Sequence, residues 1–174
     1  MKLNSSPEET QRKAANIRLL LLDVDGVLTD GRLYFSEKGE ETKAFHTLDG
    51  HGIRMLQKAG VEVGIVTGRN SVAVEKRASD LGIRILITGR QDKLNVLQEI
   101  KASEKLSDDQ ISFAGDDLPD LPVLMAVGLS FTVPHAHADL HSRVDCVTEQ
   151  QGGFGAVREI TDFLLRALNA YPEH

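Results

Sequence analysis

The sequence predicts an α/β domain with a doubly wound, mostly parallel sheet. Three observations predict it. Short apolar runs of strand length alternate with longer segments of helical period from residue 17 to residue 168. The first run, residues 17–22, is apolar everywhere but Arg18, as a central strand covered on both faces requires. Successive runs end in Asp, Thr or Gly-Asp clusters, at the strand ends where open α/β sheets keep their ligand sites.

The elements follow in order. Residues 5–16 read as a polar lead-in helix, and residues 17–22 as the first strand, stopped by Asp23-Val24-Asp25-Gly26. Thr29-Asp30-Gly31 marks a turn. Residues 32–35 and 41–45 are strand-like runs about a loop at 36–40, together a β-hairpin flap beside the Asp pair. Leu48-Asp49-Gly50-His51-Gly52 reads as a second turn, ahead of a helix over residues 53–59 that Gly60 stops. Residues 61–66 are the second parallel strand. A helix at 71–81, closed by Gly82, leads to a third strand at 83–87. Residues 91–102 are helical, with Leu94, Val96, Leu97 and Ile100 apolar. Strands at 111–114, 129–133 and 144–147 follow, with a short helix at 119–127, and residues 155–168 form the last helix.

The length of 174 residues predicts a single domain, 1–174, with a lead-in over 1–16 and a C-terminal segment over 152–174. A net charge of −6 without any Lys/Arg-rich tract argues against nucleic acid as a partner. Cys146 is the single cysteine, which excludes an internal disulfide and a cysteine zinc cluster and suits a reducing cytoplasm. No apolar run reaches membrane-spanning length, and residues 1–10 are too polar for a signal core, so no membrane partner is expected.

The candidate chemistry lies at four strand ends. Asp23 and Asp25, two residues apart in an extended segment, face the same way. Two carboxylates that close repel unless a cation stands near, and Mg²⁺ suits oxygen ligands at a phosphate site. Asp23 is a candidate nucleophile, and Asp25 a candidate acid and base. Thr67, with the amides of Gly68 and Arg69, can hold phosphoryl oxygens. Lys93 can neutralise them. Asp116, Asp117 and Asp120 supply carboxylates across the rim for the metal. Taken singly, these residues read as helix caps or solvated side chains; one cluster per successive strand end is the informative feature.

The order D-x-D-G-V-x-T-D at residues 23–30, Thr67, Lys93 and G-D-D-x-x-D at residues 115–120 resembles the four-motif pattern of the haloacid dehalogenase-like phosphohydrolases. The resemblance implies a Rossmann-like fold, an aspartyl phosphate on Asp23, general acid/base work by Asp25, and phosphate binding by Thr67 and Lys93. It implies Mg²⁺ held by Asp23, Asp116 and the Asp25 main-chain carbonyl, with Asp117 and Asp120 in support. The gaps between Asp25, Thr67 and Lys93 leave no room for a cap domain beyond the hairpin. That is similar to the capless branch, in which homotetramers close one another's sites.

Within that branch, the segments at 45–53, 67–69 and 152–159 resemble the ulosonate-phosphate phosphatases of lipopolysaccharide precursor synthesis. This implies a small sugar-acid phosphate monoester as substrate, 3-deoxy-D-manno-octulosonate 8-phosphate or a nonulosonate 9-phosphate. Arg69 is then a candidate for the sugar-acid carboxylate. His46 and Phe154 depart from residues common in the octulosonate enzymes. The glycine-rich segment at 152–155 is a candidate to reach a neighbouring site, or else a plain loop. A non-catalytic oligomerisation or phospho-receiver module is the rival of another class. In receivers the acidic pair lies on a strand end separate from the phosphorylated Asp, unlike Asp23 and Asp25. His135, His137 and His141 read as a surface helix rather than a zinc site, and Cys146 as buried filler.

Overall fold

The computed structural model describes residues 1–172. The last two residues of the expected 152–174 segment lie outside the described residues. Seven strands form the main sheet: β1 (Lys2–Leu3), β2 (Leu19–Leu22), β5 (Glu62–Val66), β6 (Ile85–Ile87), β7 (Ile111–Ala114), β8 (Leu129–Thr132) and β9 (Cys146–Val147). Their order is β1-β9-β8-β7-β2-β5-β6. All neighbours are parallel except β1 and β9, which pair antiparallel at Lys2–Val147 and Leu3–Cys146. The strand β2 lies at the centre, flanked by β5 and β7 in parallel register.

Alternation within β2 divides the core in two. Leu20 and Leu22 join one apolar cluster, Leu19 and Leu21 the other, as side chains of period two must. The first face is covered by α1 (Pro7–Asn16), α2 (Thr47–Lys58), α3 (Val72–Leu81) and α6 (Ala156–Ala167). The second is covered by α4 (Lys93–Glu104) and α5 (Leu121–Leu124). All four leucines of β2 are buried. With helices on both faces, the functional rim is left at the strand ends. A separate hairpin, β3 (Tyr34–Phe35) paired to β4 (Glu41–Thr42), leaves the sheet after the Asp pair. No cap domain is present among the described residues.

Several expectations are corrected. The turn expected at 48–52 is the first part of α2, which starts at Thr47 with the His46 ring accepting from the Leu48 amide. Gly50 and Gly52 sit inside this helix because neighbours crowd it. A Cβ on Gly50 would lie 2.3 Å from the Arg77 guanidinium, and one on Gly52 would lie 2.2 Å from Thr161 Oγ1 on α6. The N-terminal residues, read as polar lead-in alone, also supply the edge strand β1. The helix expected over 119–127 is a 3-10 turn at Leu118–Asp120 followed by the single turn of α5. Residues 135–141 form no surface helix but a 3-10 turn, Ala138–Leu140, capped by the His137 ring. His141 Nε2 faces the Val133 carbonyl at 3.2 Å, and no metal cluster of these histidines occurs among the described residues.

Candidate active site

The carboxyl ends of four neighbouring strands, β7, β2, β5 and β6, enclose a cavity of about 300 Å³. It is lined by Asp23, Asp25, Thr67, Gly68, Arg69, Gln91, Lys93, Asp116, Asp117 and Asp120, with Gly31 and Pro119. Asp23 directly follows β2, and its amide donates to the Ala114 carbonyl of β7, so it belongs to the sheet edge. After Asp23 the chain turns sharply: Gly26 takes φ +88°, a left-handed conformation that side chains disfavour. Asp25 thereby reaches the same cavity from the turn.

Lys93 opens α4 and is nearly enclosed. Its Nζ is 2.9 Å from Asp23 Oδ1 and 2.5 Å from Asp120 Oδ1. Asp120 is fully engaged: its other oxygen accepts the Asp116 amide at 3.0 Å and the Asp117 amide at 3.3 Å. It therefore shapes the loop after β7 and anchors Lys93. Asp117 accepts from the Leu118 amide and caps the 3-10 turn. Thr67 lies just past β5, and its hydroxyl accepts from the Arg69 amide at 3.3 Å.

Asp23, Asp116 and Asp120 each place a carboxylate oxygen within 4.8 Å of the others. Burial, reinforced by the charge of Asp120, pushes the Asp23 carboxyl up to about 6, with Lys93 opposing. Burial also pushes Asp116 up to about 7, with Asp23, Asp120 and Asp117 adding repulsion. Burial works against the Lys93 charge, but the carboxylates of Asp23 and Asp120 outweigh it and raise the ammonium pKa. One lysine thus faces three crowded acids. Among the described residues no donor side chain or amide hydrogen-bonds the Asp116 carboxylate. An anionic excess with free oxygen lone pairs is the donor set that a hard divalent cation fits.

Two residues absent from the sequence reading enter the site from the hairpin. The Lys43 side chain is 2% exposed and pairs with Asp25 Oδ1. Glu41 Oε2 accepts from Arg69 Nη2 at 2.6 Å, while Arg69 Nε lies 3.7 Å from Asp25 Oδ2. A lysine just past a short polar strand carries no motif, so nothing local marked it. The hairpin is thus tied to the site through Asp25 and Arg69. Gln91, whose Nε2 donates to the Gly68 carbonyl at 3.3 Å, also lines the cavity.

The glycine-rich segment packs against this machinery within its own chain. The Gly153 amide donates to the Val27 carbonyl, and a Cβ on Gly152 would lie 1.7 Å from the Gly26 carbonyl oxygen.

Comparison with known proteins places this chain in a family. No protein-family model matches the chain. The 3-deoxy-D-manno-octulosonate 8-phosphate phosphatase of Yersinia pestis is 46% identical over 160 residues, covering 92% of this chain and 86% of the relative. The chain belongs to the 3-deoxy-D-manno-octulosonate 8-phosphate phosphatase family. Members of this family are phosphoric monoester hydrolases of the haloacid dehalogenase-like superfamily. The Moraxella catarrhalis member, solved in complex with a magnesium ion, a phosphate ion and 3-deoxy-D-manno-octulosonate (KDO), superposes with a TM-score of 0.93. It is 37% identical, and the match covers 95% of each chain. A subfamily III A hydrolase of the same superfamily from Legionella pneumophila superposes at 0.92 with 42% identity, over 93% of this chain and 89% of the other.

Proposed function

We propose that this chain hydrolyses 3-deoxy-D-manno-octulosonate 8-phosphate to the free sugar acid and phosphate, a step of lipopolysaccharide precursor synthesis. One observation supports it most: Asp23, Asp25, Thr67, Lys93 and Asp116 line one cavity, in a chain 46% identical to a phosphatase of that substrate.

In this reading the Asp23 carboxylate attacks phosphorus in line and the sugar oxygen departs. Asp25 gives that oxygen its proton, then takes one from the water that hydrolyses the aspartyl phosphate. Lys43 holds Asp25 toward the cavity through its ion pair. The Thr67 hydroxyl and the Gly68 and Arg69 amides hold phosphoryl oxygens, while Lys93 lowers the repulsion between phosphate and Asp23. Asp120 fixes Lys93, and Asp117 fixes the turn that follows. Asp23, Asp116 and the Asp25 carbonyl would hold Mg²⁺, which when bound supplies positive charge to the transferring group. Arg69 receives the sugar-acid carboxylate in a forked, bidentate geometry.

Leu33, Tyr34 and Phe35 leave large apolar groups exposed on the hairpin, which supports a homotetramer in which other copies cover them. No helix among the described residues is long and apolar enough to cross a membrane. A multiply charged sugar phosphate does not cross a bilayer unaided, so the enzyme works where its substrate is made; we assign it to the cytoplasm. The test is phosphate release, with Mg²⁺, from a panel of eight-carbon and nine-carbon ulosonate phosphates. The expected result is the highest kcat/KM on the octulosonate; a preference for the nine-carbon ester moves the substrate, and no turnover of either overturns the reading.

A further inference from the structure

Arg69, the residue assigned above to the substrate carboxylate, already grips a carboxylate of its own chain. Glu41 Oε2 lies 2.6 Å from Arg69 Nη2. Glu41 Oε1 is buried with no hydrogen-bond partner and lies 3.5 Å from Lys43 Nζ. Hydrogen bonding from Arg69 holds the Glu41 carboxyl below the usual range, with Ser71 and Lys43 adding to it. The Arg69 side chain is nonetheless 43% exposed at the mouth of the cavity. An accessible guanidinium held by a half-satisfied glutamate is a poor final state for that glutamate.

We infer that Glu41 is a specificity-determining residue: it occupies the Arg69 fork as an internal stand-in for the substrate's carboxylate, and an incoming sugar acid displaces it. The inference rests on the substrate reading above. A carboxylate-bearing substrate replaces the single Glu41 contact with an ion pair of its own at the same guanidinium, so it recovers what it breaks. A sugar phosphate without a carboxylate gains nothing at Arg69 and leaves the Glu41 pair intact. Glu41 therefore lowers the affinity for sugar acids by the strength of its own pair, and Arg69 selects them by more. Asp25 stands 3.7 Å from the same guanidinium, so exchange at Arg69 takes place beside the proton donor.

The geometry makes the hairpin part of this exchange. Glu41 lies on β4, which among the described residues pairs only with β3. Displacing Glu41 releases one of the hairpin's two ion-pair ties to the cavity, and Lys43 to Asp25 keeps the other.

The test compares KM for 3-deoxy-D-manno-octulosonate 8-phosphate with KM for glucose 6-phosphate, which has no carboxylate. Wild type, Glu41→Gln, Glu41→Ala, Arg69→Ala and Glu41→Gln/Arg69→Ala are measured. Removing a negative charge draws any phosphate closer, so the informative quantity is the ratio of the two KM values. That ratio is expected to fall by about two- to fivefold in both Glu41 variants, the range of a partly exposed ion pair. With Arg69 also removed, the gain disappears. Equal shifts for both substrates, or a ratio that rises, overturn the role of Glu41. A wild-type enzyme indifferent to the carboxylate overturns the substrate reading and this inference with it.

Discussion

Gly26 and Asp116 touch so closely that no side chain fits between them. A Cβ on Gly26 would lie 2.0 Å from Asp116 Oδ2, and the backbone there is left-handed at φ +88°. The turn that follows β2 and the Asp116 carboxylate just past β7 are thus packed against each other. Gly26→Ala is expected to displace Asp116 and to weaken both metal affinity and kcat by about 10–100-fold, as for other changes behind a metal ligand. Turnover measured against Mg²⁺ concentration checks this, with circular dichroism to show that the fold persists. Unchanged Mg²⁺ dependence would remove Asp116 from the metal site.

Lys93 is the cation that Asp23 and Asp120 share inside the rim. Lys93→Ala leaves two buried carboxylates unpaired, and about 3 kcal/mol of stability is expected to go with it. Urea unfolding reads the stability, and phosphate inhibition reads the lost contact with substrate. A variant of wild-type stability that still binds phosphate would place Lys93 outside both roles.

Mg²⁺ removal by EDTA is expected to stop turnover, and its return to restore it. Because the folded acid cluster binds the ion and the unfolded chain does not, Tm also rises with Mg²⁺ concentration. Full rate in excess chelator would take the metal out of the reaction.

Asp49 ties α2 to α6. Its Oδ1 accepts the Arg158 amide at 2.8 Å, while Oδ2 is buried without a partner. Burial raises its pKa, with the amides of Arg158 and Gly155 opposing. A carboxyl raised on folding binds more protons in the native state than in the unfolded one. Its favourable contribution is therefore complete below the unfolded pKa and is lost as pH rises through the folded value. Asp49→Asn removes that loss, so the Tm of the variant falls less than that of wild type as pH climbs from acid toward neutrality. Parallel Tm curves would show that Asp49 does not titrate in that window.

Cys146 lies on β9 in the core, and burial pushes its thiol up to about 12. Thiolate is the reactive form. At pH 8 the folded protein is expected to resist a thiol reagent that modifies it at once in guanidinium; fast labelling of the native chain would contradict the burial.

How far the sequence could be read follows from how local each feature is. The four leucines of β2 and the Asp, Thr and Asp clusters that end successive strands are written in consecutive residues, so their period and punctuation were legible. Gly50 and Gly52 read as a turn because glycine usually breaks a helix; their reason lies in Arg77 and Thr161, which only the packed fold brings near. The strand Lys2–Leu3 is too short to show a period, and its pairing with Cys146 and Val147 is long-range. Lys43 and Glu41 carry no local signal for the same reason: their partners Asp25 and Arg69 lie far away in the chain.

The central claim is that Asp23 becomes phosphorylated. A single turnover on 3-deoxy-D-manno-octulosonate 8-phosphate, quenched in acid and digested, tests it by mass spectrometry. The account predicts a phosphoryl group on the peptide that carries Asp23, with no such peptide and no turnover in Asp23→Asn. Phosphate release at the wild-type rate from Asp23→Asn, or a phosphoryl group on another residue, would contradict it.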